Sequence, residues 1–121
     1  LSQMQKANLA MKINDFEAAL LTFKEIAEHA TYPQSVKEWA SFRYAAVRVE
    51  KRIDSNASAD LDSLIATDSP WRFLAKEIKA IKEIETGNKS GAKAIFSELA
   101  DDENAPERLR LRAAEFLKIL Q

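Results

Sequence analysis

Cysteine is absent from this chain. That excludes disulfides, thiolate nucleophiles and cysteine-based zinc, and leaves the redox compartment open. Glycine occurs twice and proline three times. A β-rich fold needs many turns and would use more of both. No run of about 18 apolar residues exists, so this chain holds no membrane-spanning helix. Neither sign of charge prevails: 18 Lys and Arg face 19 Asp and Glu, for a net charge of −1. Without a basic excess to neutralise a phosphate backbone, nucleic acid is not an expected partner. His29 is the only histidine. Its nearest acids, Glu25 and Glu28, are helix-surface residues, so it reads as a helix-end histidine near a negative C-terminus, not a metal ligand or base.

What is present favours helix. Hydrophobic residues make up 46% of the 121 residues and charged residues 31%, with Ala, Leu, Glu and Lys prominent. The chain begins with Leu1 and enters helix-like sequence at once, which points to a trimmed or processed chain; a signal or anchor upstream would lie outside it.

The most informative stretch runs from Pro70 to Pro106. Trp71, Leu74, Ala75, Ile78 and Ile81 recur at the spacing of one buried helical face. Gly87-Asn88 breaks the run, glycine taking a left-handed position without a Cβ penalty. Ala92, Ile95, Phe96 and Leu99 then line a second helix, and Pro106 opens another. A helix, a tight turn and a helix make an α-hairpin, which must stack on something to bury both faces.

The rest of the chain reads the same way. Helices are expected over about residues 1–12, 16–29, 35–51, 59–66, 71–85, 89–100 and 106–121. Asn14 or Asp15 caps the second, and Pro33 stops it. The third is apolar on more than one face, as the inner helix of a stack would be. Asp68-Ser69-Pro70 signals a helix start with Pro70 at the first helical position. The fold class is therefore all-α, with about seven helices: hairpin units near 1–32, 34–67 and 70–103, and a closing helix at 106–121, all in one domain.

The first hairpin aligns on the third. Asn14-Asp15-Phe16 lies over Gly87-Asn88-Lys89, Ala19 over Ala92 and Phe23 over Phe96. The pattern resembles the tetratricopeptide repeat (TPR), a helix-turn-helix unit of about 34 residues. Asn14 stands where the turn glycine is usual, the middle unit has no clear turn glycine, and Pro33 sits slightly late. Over nearly the whole chain the wording also resembles the C-terminal TPR-like domain of the YfgM family, of alphaproteobacterial type. The carrying residues are Asp68-Ser69-Pro70-Trp71-Arg72, Gly87-Asn88, Ala100-Asp101-Asp102, Ala105-Pro106 and Leu109 to Glu115. That family supplies an ancillary subunit of the bacterial Sec translocon, with one N-terminal membrane helix before a periplasmic domain. The resemblance implies a right-handed TPR-like α-solenoid with a capping helix, at the periplasmic face of the inner membrane. It implies translocon, periplasmic chaperone or client as protein or peptide partner.

No catalytic constellation emerges. Asp101-Asp102-Glu103-Asn104 lacks the glycine and final glutamate of a calcium loop and suits helix capping. Arg108, Arg110 and Arg112 alternate around a helix and read as a solvated face. Trp39 and Trp71 fall within apolar patterns and read as packing residues. Gly87 and Gly91 with Lys89 and Lys93 do not form a phosphate loop. Asp60 and Asp62 are too close in sequence for paired acid/base work. The chain is read as a non-enzyme without cofactor or metal.

TPR-like stacks bind along the concave face, lined by the first helix of each hairpin. From repeat register those positions are Met4, Asn8, Met11 and Lys12 on the first helix. On the third they are Ala40, Arg43, Val47 and Glu50, and on the fifth Leu74, Glu77, Ile81 and Ile84. Such a groove would hold an amphipathic or extended segment. The alternatives are a scaffold that forms a homodimer through the groove, a generic adaptor in envelope assembly, or an accessory domain of a larger enzyme.

Overall fold

The computed structural model describes residues 2–121. Among them are seven helices and no strand: α1 (Gln3–Lys12), α2 (Phe16–Ala27), α3 (Gln34–Glu50), α4 (Ala57–Ile65), α5 (Arg72–Glu85), α6 (Lys89–Asp101) and α7 (Glu107–Leu120). Leu1, expected to open α1, lies outside the described residues.

Local chemistry sets the starts. Ser2 forms a capping box: its Oγ accepts from the Gln5 N–H at 3.1 Å, and Gln5 Oε1 accepts from the Ser2 N–H at 2.8 Å. Asp15 caps α2 by accepting from the Ala18 N–H, and Asn88 caps α6 by accepting from the Gly91 N–H. Two starts differ from expectation. Pro70 is not the first residue of α5. Ser69 Oγ accepts from the Trp71 N–H and Ser69 O from the Arg72 N–H, so Pro70 and Trp71 form a turn and α5 begins at Arg72. Pro106 likewise precedes α7 as its N-cap, with extended ψ of 142°; Pro33 does the same for α3, with ψ of 147°.

The chain divides into two compact units, the first ending at Ala57 and the second running from Ser58 to Gln121. In the first, α2 packs against both α1 and α3. Its core joins Ala7, Ala10, Ala19, Phe23 and Val47, flanked by Met11, Phe16, Trp39 and Tyr44. In the second, α6 packs against α5 and α7, which also touch each other. Its core joins Phe73, Ala80, Ala92, Phe96, Leu99, Leu109, Ala113 and Leu120. Fully burying one Phe or Leu side chain stabilises a fold by about 1.5–3 kcal/mol, so these clusters outweigh the caps.

The two units share one internal plan. Ala19 and Ala92 are both at 0% exposure, as are Phe23 and Phe96. The small residue lets two helices approach, and the aromatic fills the space beside it. Gln3 Nε2 reaches Glu25 at 3.2 Å, and in the equivalent place Lys76 Nζ reaches Glu98 at 3.0 Å.

The turns match atom for atom. At the end of α1, the Asn14 N–H reaches Met11 O and the Asp15 N–H reaches Ala10 O. At the end of α5, the Gly87 N–H reaches Ile84 O and the Asn88 N–H reaches Glu83 O. Both are Schellman caps, and both central residues are left-handed: Asn14 at φ 61° and Gly87 at φ 85°. α3 ends the same way. The Arg52 N–H reaches Val49 O, the Ile53 N–H reaches Arg48 O, and Arg52 has φ 55°. α3 therefore ends in a turn that its sequence conceals, with arginine in the place of glycine.

Candidate interaction surface

The positions expected to line a groove fall into three physical classes. Met4, Asn8 and Lys12 on α1 and Glu50 on α3 are exposed, Met4 at 41%. Met11 on α1 is half-buried against the first core, and Leu74, Ile81 and Ile84 on α5 are half-buried against the second. Ala40 and Val47 are buried, at 0% and 1% exposure. Val47 is a core residue in contact with the cluster around Phe23, so it does not line an open surface, and neither does Ala40. The register estimate failed there because α3 is apolar on two sides and periodicity does not say which side stays open.

Two expected contact residues are already engaged within the chain. The Arg43 guanidinium lies 5.3 Å from the centroid of the Phe23 ring, a cation–π contact. Glu77 accepts two hydrogen bonds from Arg112, from Nε and from Nη2, each at 2.9 Å. This fork ties α5 to α7, and its carboxylate raises the Arg112 pKa further. Arg112 was expected to be solvated, and its guanidinium instead holds two helices together.

The lone histidine behaves as expected of a helix-end residue. His29 lies just beyond α2 and stacks on Tyr32, ring centroids 3.7 Å apart and planes 8° from parallel. Its Nδ1 accepts from the Thr31 N–H at 3.3 Å. The Tyr32 hydroxyl donates to Gln3 Oε1 at 3.2 Å, linking this loop back to α1. Trp39 meets Phe23 edge-on at 5.5 Å, in keeping with its packing reading.

Sequence reasoning missed Arg48. It sits in the apolar run Ala45-Ala46-Val47-Arg48-Val49, is 5% exposed, and its Nη2 lies 2.6 Å from Asp54 Oδ2. Its guanidinium also covers the Tyr44 ring at 4.6 Å. Asp54 accepts from the Asn56 N–H at 2.8 Å as well. That bond first, and the Arg48 bond second, hold the Asp54 carboxyl below its ordinary pKa. A charged residue inside an apolar run, followed by an acid in the next loop, was the available signal. Also missed were the exposed apolar side chains Leu9, Ile13, Leu21 and Ile53 in the first unit and Leu111 and Ile119 on α7. They fall off the apolar faces that periodicity picks out.

Among the described residues no group of three or more His, Asp or Glu side chains is placed to hold a metal ion. No helix there is long and apolar enough to cross a membrane. Comparison with family models, curated proteins and solved structures returns no match.

Proposed function

We propose that this chain is a non-catalytic TPR-like interaction domain, the periplasmic part of a membrane-anchored ancillary subunit of the Sec translocon. It would assist the folding or handover of secreted proteins. The observation that carries the TPR-like reading is the recurrence of one left-handed turn, at Asn14, Arg52 and Gly87, after α1, α3 and α5. Three first helices ending alike supports three helical hairpins closed by α7. The equal burial of Ala19 with Ala92 and of Phe23 with Phe96 supports the repeat register. The translocon and the periplasm rest on the wording shared with the YfgM family.

The mechanism is display without chemistry. Packed helices present fixed side chains, so a partner segment binds without the chain having to order itself first. Of the expected positions, Met4, Asn8, Lys12 and Glu50 are the ones free to meet a partner. The mix of one apolar side chain with amide and charged groups suits an amphipathic segment.

Protease accessibility of the domain in its native cells tests this reading. Digestion only after the outer membrane is opened, with the protein in the membrane fraction, is the expected result. Protection until the inner membrane is breached would place the domain in the cytoplasm and overturn the translocon assignment. The surface assignment has its own test. Met4→Glu combined with Lys12→Glu should keep helicity and reduce cross-linking to translocon subunits; unchanged cross-linking would remove α1 from the contact.

A further inference from the structure

The outer side of α7 is the least explained surface of the second unit. Leu111 is 60% exposed and Ile119 76%, far more than helix-surface burial requires. A shallow trough of about 470 Å³ runs along the helix there, lined by Glu107, Arg108, Leu111, Arg112 and Glu115. At 100° per residue, Arg108, Leu111, Glu115 and Ile119 fall within one stripe, opposite the core face of Leu109, Ala113 and Leu120.

α3 occupies in the first unit the place of α7 in the second. Glu115, Lys118 and Ile119 correspond to Phe42, Ala45 and Ala46. Those three are covered, at 6%, 2% and 2% exposure, although none belongs to the core cluster around Phe23. α3 is thus a helix with two packed sides, the second along its C-terminal half; Ser35 and Glu38, the counterparts of Arg108 and Leu111, are exposed and half-buried. In α7 the second side is open and carries apolar side chains among charges.

We propose that a second copy of this chain covers the N-terminal part of this side, around Leu111, α7 pairing antiparallel with α7 across a two-fold axis. Charge selects this occupant and its register. With the axis between positions 111 and 112, the two Leu111 side chains lie side by side next to it, about 1.5 Å apart along the helix. Ile119 falls opposite position 104, before α7 begins, and stays outside the pairing. Arg108 then faces Glu115 of the second copy, and Glu115 faces the other Arg108. Each charge lies about 5 Å along the helix from the axis, at 1.5 Å rise per residue. One side chain thereby satisfies another twice, as an isologous interface requires. The competing register, centred on Glu115, would match Leu111 with Ile119 but set two carboxylates against each other on the axis. Glu115 already has Lys118 at 3.5 Å, but both side chains are about 70% exposed, so this pair gives way at little cost. One helix face is a small interface, and the dimer belongs to the weak, transient class below about 1,200 Å² of total buried area. This pairing does not rest on the translocon reading and does not use the expected groove.

Sedimentation of the 121-residue chain from micromolar to near-millimolar concentration tests it. The wild type should dimerise reversibly, and more weakly as salt rises. Arg108→Glu alone and Glu115→Arg alone should each weaken the dimer by at least about tenfold, since each places like charges together twice. An equimolar mixture of the two variants should restore it, because both cross-pairs are again of opposite sign. That recovery also shows both variants to be folded. A strict monomer across the range overturns the proposal. A dimer indifferent to Arg108→Glu, or two variants that do not recover on mixing, overturns it equally by placing self-association on another face.

Discussion

Phe116 lies flat on Phe96, with ring centroids 4.5 Å apart and planes 7° from parallel. The equivalent place in the first unit holds Arg43, whose guanidinium lies over Phe23 at 5.3 Å. The same scaffold position is filled by an aromatic ring in one unit and by a cation in the other. Both solve one packing problem, covering the face of a fully buried phenylalanine. They differ in cost to remove. Phe96→Ala leaves a cavity at 0% exposure and should destabilise by about 3–5 kcal/mol. Arg43→Ala removes a half-exposed cation–π contact and should cost about 0.5–1 kcal/mol. Urea unfolding of both variants checks the order, and a larger loss for Arg43→Ala would contradict it.

Arg52 pays a backbone penalty that glycine would not. Its φ is 55°, a conformation that costs a non-glycine residue about 1–2 kcal/mol. Removing its side chain in two ways isolates that term. Arg52→Gly and Arg52→Ala lose the same interactions, so their difference reports the backbone alone. Arg52→Gly should be the more stable by about 1 kcal/mol, the reverse of the usual order of alanine and glycine near a helix. Equal stabilities would mean that the turn is not held left-handed in solution.

The Arg48–Asp54 pair predicts an acid-sensitive loop. The folded-state pKa of Asp54 is lowered, by the Asn56 N–H and then by Arg48, from an ordinary value of 3.8. A lowered carboxylate contributes stability that is present above the unfolded pKa and is lost as pH falls through the folded one. Stability should therefore drop below about pH 4, and Asp54→Asn should flatten that drop. Asp54→Asn should also lower stability at neutral pH, because Arg48 keeps its charge at 5% exposure without its carboxylate. Thermal unfolding across pH 3 to 7 would show both effects, and parallel curves for the two proteins would refute the assignment.

Glu77 and Arg112 should couple. Glu77 is only 12% exposed, and its two 2.9 Å bonds to Arg112 join α5 to α7. A double-mutant cycle with Glu77→Gln and Arg112→Lys should return an interaction of about 1 kcal/mol, the upper end for a partly exposed pair. Lysine keeps the charge but cannot reproduce the fork, so Arg112→Lys should by itself lose most of it. A coupling near zero would make the contact incidental.

Much of the fold was legible in the chain. The apolar spacing of Ala19, Phe23 and Ile26 and of Ala92, Phe96 and Leu99 marked the buried faces, and all six are buried. Gly87 announced a left-handed turn because glycine alone adopts one freely. Asn14 reads as a possible helix cap standing where the repeat has glycine, and the structure makes it the left-handed residue of the turn, a conformation asparagine tolerates better than most residues. Arg52 was not legible, because arginine has no such preference and only the closing of α3 forces it there. The candidate surface was the least legible part. Periodicity finds which side of a helix is apolar but not how many neighbours the helix has. That is why Val47 was assigned to a groove and lies in the core, and why Leu111 and Ile119 were passed over.

By itself the sequence determined that this protein is helical and, to within about two residues, where its helices begin and end. Those features depend on local terms: capping side chains, glycine and proline geometry, and the 3.6-residue period. It also determined the internal repeat, since equivalent residues recur in order. Only the tertiary structure decided which polar groups are spent on holding the fold. Arg48, Arg43, Glu77 and Arg112 look alike on paper as surface charges, yet each is committed to a partner from outside its own helical turn. A side chain's availability depends on what packs beside it, and that is a property of the folded chain, not of the residue.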